Sequence, residues 1–389
     1  MTCTFLHTAD WQLGKPFASI RDAAKRHRLQ QERVDAVQRM AKIATDSGAS
    51  FIVVAGDLFD SSQATKATVS AACAAIGALK IPVIVIPGNH DHGGPGSIWQ
   101  QEFFEREQQQ LAPNLQVLLA SEPLLLDSAV ILPAPLLRRH ESSDPTAWIS
   151  NSVEFDKLPA NLQRIVLAHG TIQGFGSSQQ DDEFDTAIAN WIDLTKLPID
   201  QIDYVALGDW HGTKQVGAKA WYSGTPEIDR FPKGADNQPG NLLKVRAVRG
   251  EIPQVEVIES HRFLWKDLAF RFSDDASLNL FSARLDELLG QRGDEHLLSL
   301  SLEGTLGIEA SNRLQKILES WESRLIRLRL EHRVSIAPSE SEIIGLTQRM
   351  EDPLISSVAE QLVAKLEVGD EDAAVARLAL RELHAACIV

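Results

Sequence analysis

Cysteine is scarce in this chain: three residues in 389, Cys3, Cys73 and Cys387, widely spaced and without a C-x-x-C pair. An odd, scattered set excludes a disulfide framework and a zinc knuckle and points to a reducing compartment. Long apolar runs are missing too, none approaching the roughly 18 residues that a membrane-spanning helix requires. The opening Met1-Thr2-Cys3-Thr4-Phe5-Leu6-His7 has no basic segment leading into an apolar one, so no secretory signal is expected. Positive charge is in deficit: 38 Lys and Arg against 53 Asp and Glu give a net charge of −15. That excludes a protein binding polyanions by bulk charge, while metals or a local basic patch still allow nucleic acid as a ligand. Internal repeats and low-complexity segments are also absent. What is present is a core-forming composition, 44% hydrophobic and 23% charged, which rules out intrinsic disorder. The length is a prior for about two or three domains. The expectation is a soluble, cytoplasmic, globular protein with no membrane segment.

The first two-thirds alternates short apolar runs with helical stretches. Phe51-Ile52-Val53-Val54, Val83-Ile84-Val85-Ile86, Ile165-Val166-Leu167-Ala168 and Tyr204-Val205-Ala206-Leu207 read as strands buried on both faces. Helices are expected between the early ones, over 23–47 and 63–79. This is an α/β pattern with polar residues at the C-terminal ends of buried strands, where open α/β sheets place ligands. After a strand pair at 242–245 and 255–258, the order becomes strand, helix, strand, helix, over 268–272, 278–290, 297–302 and 310–322. Two last helices follow, with Leu354, Val358 and Leu362 expected on one face and Val375, Leu378 and Leu383 on another. The domains expected are 1–260, a smaller α+β domain at 261–350, and a C-terminal helical pair at 351–389.

Five clusters sit at predicted strand ends: His7-Thr8-Ala9-Asp10-Trp11-Gln12, Gly56-Asp57-Leu58-Phe59-Asp60, Gly88-Asn89-His90-Asp91, His169-Gly170 and Gly208-Asp209-Trp210-His211. Each alone is weak, since Gly-Asp is a common turn and a lone His is more often structural. Together they bring carboxylate, amide and imidazole groups to one edge of one core. Such a mixture of hard oxygen and borderline nitrogen ligands suits Mn²⁺, Fe²⁺ or Zn²⁺, and a bridging carboxylate would let it hold two ions. Two ions roughly 3.5–4 Å apart form the clamp used for in-line displacement at phosphorus.

The order Asp, Gly-Asp, Gly-Asn-His-Asp, His, Gly-x-x-His resembles the calcineurin-like metallophosphoesterases. Leu6-His7-Thr8-Ala9-Asp10 with Leu13-Gly14, Gly56 to Asp60, Tyr204 to Gly208, and Tyr222-Ser223-Gly224-Thr225-Pro226 are similar to the SbcD-type DNA-repair exonucleases. The resemblance implies a four-layer αββα sandwich with a smaller α+β capping domain and two divalent metal ions, with Mn²⁺ expected. It also implies a coiled-coil ATPase partner of the SbcC type and dimerisation through the core. Carried over by position, Asp10, Gln12, Asp57 and His211 would surround a first metal. Asp57, Asn89, His169 and Asp209 would surround a second, with Asp57 bridging. His90 matches the family's non-ligand histidine that serves the leaving oxygen, and Asp91 is expected to orient it, because a catalytic imidazole needs a partner to fix its tautomer. Two positions depart from the family: Gln12 stands where a ligand His is usual, and Asp209 where the first His of Gly-His-x-His is usual. Asp209 remains a sound ligand for a hard cation. A neutral amide at Gln12 binds more loosely than imidazole, and the competing reading is a site that holds one metal or none.

Other residues carry two readings each. His7 is expected as a core or supporting residue, and His92 as either a substrate contact or an exposed loop residue. Trp11 and Trp210 either stack a base at the site mouth or pack. Arg21, Lys25 and Arg28 are expected on one helical face and would hold DNA phosphates; the bland reading is a solvated helix face. Arg324 to Leu330 forms an amphipathic strand or a helix end. The function expected is Mn²⁺-dependent phosphodiester hydrolysis on DNA, exonucleolytic and endonucleolytic. The alternatives are a small-phosphoester hydrolase and a catalytically silent scaffold for an ATPase.

Overall fold

Alternate residues of the apolar runs face opposite ways, and in this chain both ways lead to a core. A computed structural model describes residues 2–172, 189–231, 237–290, 293–337, 339–366 and 371–387. Two six-stranded sheets stack face to face. One has the strand order Gln254–Glu259, Asn241–Val248, Thr2–Thr8, Ile52–Ala55, Val83–Ile86, Leu115–Val117. The other runs Lys214–Gln215, Ala220–Tyr222, Tyr204–Gly208, Gln163–His169, Ala129–Ala134, Leu124–Leu125. The central strands of each are parallel.

Phe5, Val53, Ala55, Ile84 and Ile86 of the first sheet meet Ile131, Ile165, Leu167, Tyr204 and Ala206 of the second in a shared core. Their neighbours Leu6, Ile52, Val54, Val83 and Val85 turn to the outer side of the first sheet. There Val37, Met40 and Ala44 of the helix Ala23–Ser47 and Val69, Cys73 and Ile76 of Lys66–Gly77 cover them. Val130, Leu132, Val166, Val205 and Leu207 form the outer core of the second sheet with Ile149 of the helix Ala147–Ser152. This is the αββα order, and it explains why these strands show no polar alternation: no face meets water. Each fully buried Val, Leu or Ile in these layers contributes about 1.5–3 kcal/mol. The long helix is delimited by local chemistry. The Asp22 carboxylate accepts from the N–H groups of Ala24 and Lys25 at 2.8 and 3.0 Å, and Gly48 closes it at φ 62°.

The described chain divides into two compact units, 1–262 and 263–389. The second carries a parallel sheet in the order Leu264–Phe272, His296–Leu306, Arg327–Ile336. Its helices Ser277–Leu289 and Ile308–Arg324 bury Phe281, Leu285, Leu314 and Trp321 against Phe272, Leu300 and Leu302. The stretch after Arg324 is therefore a strand. The helices Pro353–Leu366 and Glu371–Cys387 correct the expected faces. Ala359, Leu362, Val363 and Leu366 turn inward with Ala376, Leu380 and Leu383, whereas Leu354, Val358, Val375 and Leu378 are exposed. A strict four-residue step from Leu354 drifts around a helix of 3.6 residues per turn, and the small alanines allow the closer helix–helix approach on the other face. Among the described residues, no helix is long and apolar enough to cross a membrane.

Candidate metal centre

The loops that follow the first two strands continue side by side past the sheet. Asp10 N–H donates to the Gly56 carbonyl at 3.1 Å, Gln12 N–H to Asp57 O at 2.9 Å, and Leu13 N–H to Leu58 O at 2.9 Å. This pairing is kept while Asp10, Gln12 and Asp57 adopt positive φ of 54°, 42° and 54°; Asp209, just past the strand Tyr204–Gly208 of the other sheet, has φ 100°. Non-glycine residues in that region cost of order 1–3 kcal/mol each, and such strain collects at functional sites. Here Asp10, Asp57 and Asp209 gather at His169, and Gln12 faces His211. Glycine makes room for them: a Cβ on Gly56 would lie 2.2 Å from His169 Nδ1, and one on Gly88 would lie 2.1 Å from Asp57 Oδ1.

His169 lies at the centre of the first half of the site. Its Nδ1 is 2.7 Å from the Ala55 carbonyl, which only accepts, so Nδ1 carries the hydrogen. Nε2 then faces Asn89 Oδ1 at 3.0 Å, Asp57 Oδ1 at 3.6 Å and Asp209 Oδ1 at 3.8 Å. Asp10 joins Asp57 and His169 in a group whose ligand atoms lie within 4.8 Å of one another. Thus the set expected around the second metal, Asp57, Asn89, His169 and Asp209, is brought together. In the neutral imidazole all four atoms are acceptors, and acceptors facing one another require a proton or a cation between them. The proton's share shows in the titration. Burial opposes charging His169, but the carboxylates of Asp57, Asp10 and Asp209, with the Ala55 carbonyl, raise it from 6.5 to about 9. Burial also pushes Asp10 upward. Three carboxylates, an amide oxygen and one imidazole suit a hard or borderline divalent cation such as Mn²⁺.

The other half is arranged differently. Gln12 Nε2 lies 3.3 Å from His211 Nε2, and Lys15 Nζ donates to Gln12 Oε1 at 2.5 Å. Lys15 also meets Asp229 Oδ2 at 2.9 Å and Asp60 Oδ1 at 3.7 Å, and His211 Nδ1 donates to Asp229 Oδ2 at 3.1 Å. Asp229 is buried, and its contacts with His211, Lys15 and Arg230 overcome that burial and hold its carboxyl well below the usual range.

His90, like Asp209, is partly open, with 28% of its side chain exposed, and its Nε2 lies 4.0 Å from Asp57 Oδ2. Its Nδ1 donates to the Asp60 carbonyl at 2.8 Å. Burial lowers its proton affinity, but the Asp57 carboxylate and the Asp60 carbonyl more than offset this, and its pKa is raised. Asp91 does not orient His90. Its Oδ1 accepts from Gly88 N–H at 2.7 Å and its Oδ2 from Phe59 N–H at 3.0 Å, and it is fully buried. With both oxygens on backbone donors of two ligand loops, Asp91 staples the scaffold, and a backbone carbonyl fixes the His90 tautomer instead.

Three residues of this centre escaped the sequence reading, Lys15, Arg33 and Asp229, and Asp60 was read only as a member of the Gly56 to Asp60 cluster. Arg33 has one legible signal, because it interrupts the apolar stripe Leu29, Val37, Met40 on the long helix. Asp229 lies three residues past the Tyr222 to Pro226 motif, which carried no hint of it. Trp11 is buried and donates from Nε1 to Thr8 Oγ1 at 3.0 Å, so it packs and does not stack a base. Trp210 is half-buried with Lys214 over its ring at 5.9 Å. His7 is a core residue between Tyr204 Oη at 2.9 Å and Leu207 O at 3.2 Å. Arg21 precedes the Asp22 N-cap, so it does not share a helical face with Lys25 and Arg28. His92 is half-buried rather than exposed.

A family model described as calcineurin-like phosphoesterase matches residues 3–236. Among solved structures, the chain is similar to the crystal structure of TT1561 of Thermus thermophilus, at 12% identity and a TM-score of 0.40, covering 67% of this chain and 100% of that one. A second crystal structure matches at 14% identity with the same coverage and TM-score.

Proposed function

The chain belongs to the calcineurin-like phosphoesterases, which are metal-dependent phosphoester hydrolases, and from that premise we propose that it hydrolyses phosphodiester bonds in DNA, as an exonuclease and endonuclease of DNA repair. The observation that carries the chemistry is the convergence of Asn89 Oδ1, Asp57 Oδ1 and Asp209 Oδ1 on His169 Nε2, beside the half-open His90. Asp57, Asn89, His169 and Asp209, with Asp10, would hold a divalent cation, for which Mn²⁺ is the candidate. When bound, the cation supplies positive charge against the phosphate and makes a water more acidic.

The protein's own groups do the rest. The Asp60 carbonyl keeps the Nδ1 hydrogen of His90 in place, so Nε2 is the atom that exchanges a proton. Its raised proton affinity suits it to protonate the leaving oxygen near neutral pH. Asp57 is held by His90 N–H at 3.0 Å, which keeps the carboxylate aimed while it serves the cation. Support for DNA over a small phosphoester comes from the similarity of 6–14, 56–60, 204–208 and 222–226 to SbcD-type nucleases, and from the presence of a second unit. Lys25 and Arg28, with Arg21 ahead of the helix, are the candidate phosphate contacts.

The test is hydrolysis of end-labelled single- and double-stranded DNA with Mn²⁺, Mg²⁺ or EDTA, with His90→Ala as control. Mn²⁺-dependent cleavage lost in the variant by about 10²–10⁴-fold supports the proposal. Cleavage of a model phosphodiester but not of DNA favours a small-phosphoester hydrolase. A coiled-coil ATPase of the SbcC type is the proposed partner, and the exposed Leu354, Val358, Val375 and Leu378 are candidates to meet it. Co-purification that survives Leu354→Glu with Val375→Glu would remove that role from the helical pair.

A further inference from the structure

Whether a cluster of polar atoms needs a cation depends on whether hydrogens can fill its contacts. Around His169 Nε2 only a second proton on the ring could do so, because the Nδ1 hydrogen is committed to Ala55 and every facing atom is an acceptor. Around Gln12 they can, and the contacts close into a ring. Lys15 Nζ donates to Asp229 Oδ2 at 2.9 Å and to Gln12 Oε1 at 2.5 Å. Gln12 Nε2 donates to His211 Nε2 at 3.3 Å, and His211 Nδ1 donates back to Asp229 Oδ2 at 3.1 Å. Each contact in the ring has one donor and one acceptor.

The orientation of the Gln12 amide follows from its neighbours. Turned over, its N–H₂ would face the Lys15 ammonium, donor against donor, and its oxygen would face the His211 lone pair. A cation entering this half would meet three costs together. It would have to take the His211 Nε2 lone pair from Gln12. It would have to rotate the amide and so break the bond to Lys15. It would then sit beside a resident ammonium, with the Arg230 guanidinium 3.3 Å from the same Asp229 carboxylate. Gln12, His211 and Asp229 are all at most 5% exposed, so water does little to screen that repulsion.

We infer that the centre holds a single divalent cation, on Asp57, Asn89, His169 and Asp209 with Asp10, and that the Lys15 ammonium is the built-in positive charge in the half that Gln12, His211 and Asp229 enclose. This deepens the metal-dependent hydrolase reading, on which it rests. Lys15 is then the reason that Gln12 is tolerated in place of an imidazole: the amide oxygen serves the ammonium and leaves its nitrogen for His211.

The experiment is metal counting on the full-length chain, by equilibrium dialysis against Mn²⁺ and by electron paramagnetic resonance. One Mn²⁺ per chain, with an isolated-ion spectrum free of exchange coupling, is expected. In the double variant Gln12→His with Lys15→Met, which restores an imidazole and removes the ammonium, the count is expected to rise to two, with coupling. Two coupled ions in the unmodified protein, no bound ion at all, or a folded double variant that stays at one would each overturn the inference. Should the double variant not fold, the count on the unmodified protein decides alone. Counting needs no substrate, so a protein that binds one ion yet cleaves neither DNA nor a model phosphodiester would overturn the hydrolase reading separately.

Discussion

Arg33 donates from Nη2 to the backbone carbonyl of Asp10 at 3.0 Å, tying the middle of a helix to the strained residue that opens the first ligand loop. The same guanidinium reaches Trp11 O at 2.7 Å, Glu227 O at 3.1 Å and Thr225 Oγ1 at 3.1 Å. It is 2% exposed, and burial lowers its pKa. One planar donor group therefore joins the loop after the first strand to the loop that ends the Tyr222 to Pro226 motif.

Replacing Arg33 by Met should remove four hydrogen bonds from a charged donor and leave buried carbonyls unpaired. A loss of at least about 3 kcal/mol is expected, read as a lower midpoint in urea unfolding. A change within experimental error would show that the guanidinium does not hold these loops together.

His169 makes the metal-free protein sensitive to pH. Its folded pKa is raised from 6.5 to about 9, so its stabilising contribution is complete below 6.5 and is lost as the pH rises through about 9. The Tm of EDTA-treated protein should fall across that window, and His169→Gln should flatten the slope. Affinity for Mn²⁺ should move the opposite way, because the ion must displace the Nε2 proton. An equal slope in the variant would assign the effect to another group.

Asp91→Asn tests the difference between stapling and orienting. The amide keeps one acceptor and turns a donor toward either Gly88 N–H or Phe59 N–H, which should cost about 1–3 kcal/mol. The pH dependence of hydrolysis should not move, since His90 takes its tautomer from the Asp60 carbonyl. A shifted pH profile at unchanged stability would restore Asp91 to an orienting role.

Gly88→Ala should strike the centre without replacing any of the residues proposed to hold the cation. The new Cβ would lie 2.1 Å from Asp57 Oδ1 and 2.6 Å from Asp57 N, so the carboxylate must move. Metal affinity about 10–100-fold weaker is expected, measured by titration calorimetry. Gly345→Ala, whose Cβ would meet nothing within 4 Å, is the matched control.

Sequence alone determined the layers and the polar residues that end their strands. The runs at 51–54, 83–86, 165–168 and 204–207 are apolar on both faces because both faces are buried, and that is a local, periodic signal. The polar residues that end these runs, Asp57, Asn89, His169 and Asp209, could be read for the same reason: position on a strand end is a property of a few consecutive residues. What only the tertiary structure decided is who pairs with whom across the chain. Gln12 finds His211, Lys15 finds Asp229, and Arg33 finds Asp10 and Thr225 only after the two sheets stack and bring their strand ends together. The role of Asp91 was decided there too, because the nearest donors to a buried carboxylate are backbone N–H groups whose direction is set by loop geometry. The inward faces of the last two helices depended on which neighbours could approach most closely. Periodicity says that a helix has faces; packing chooses among them.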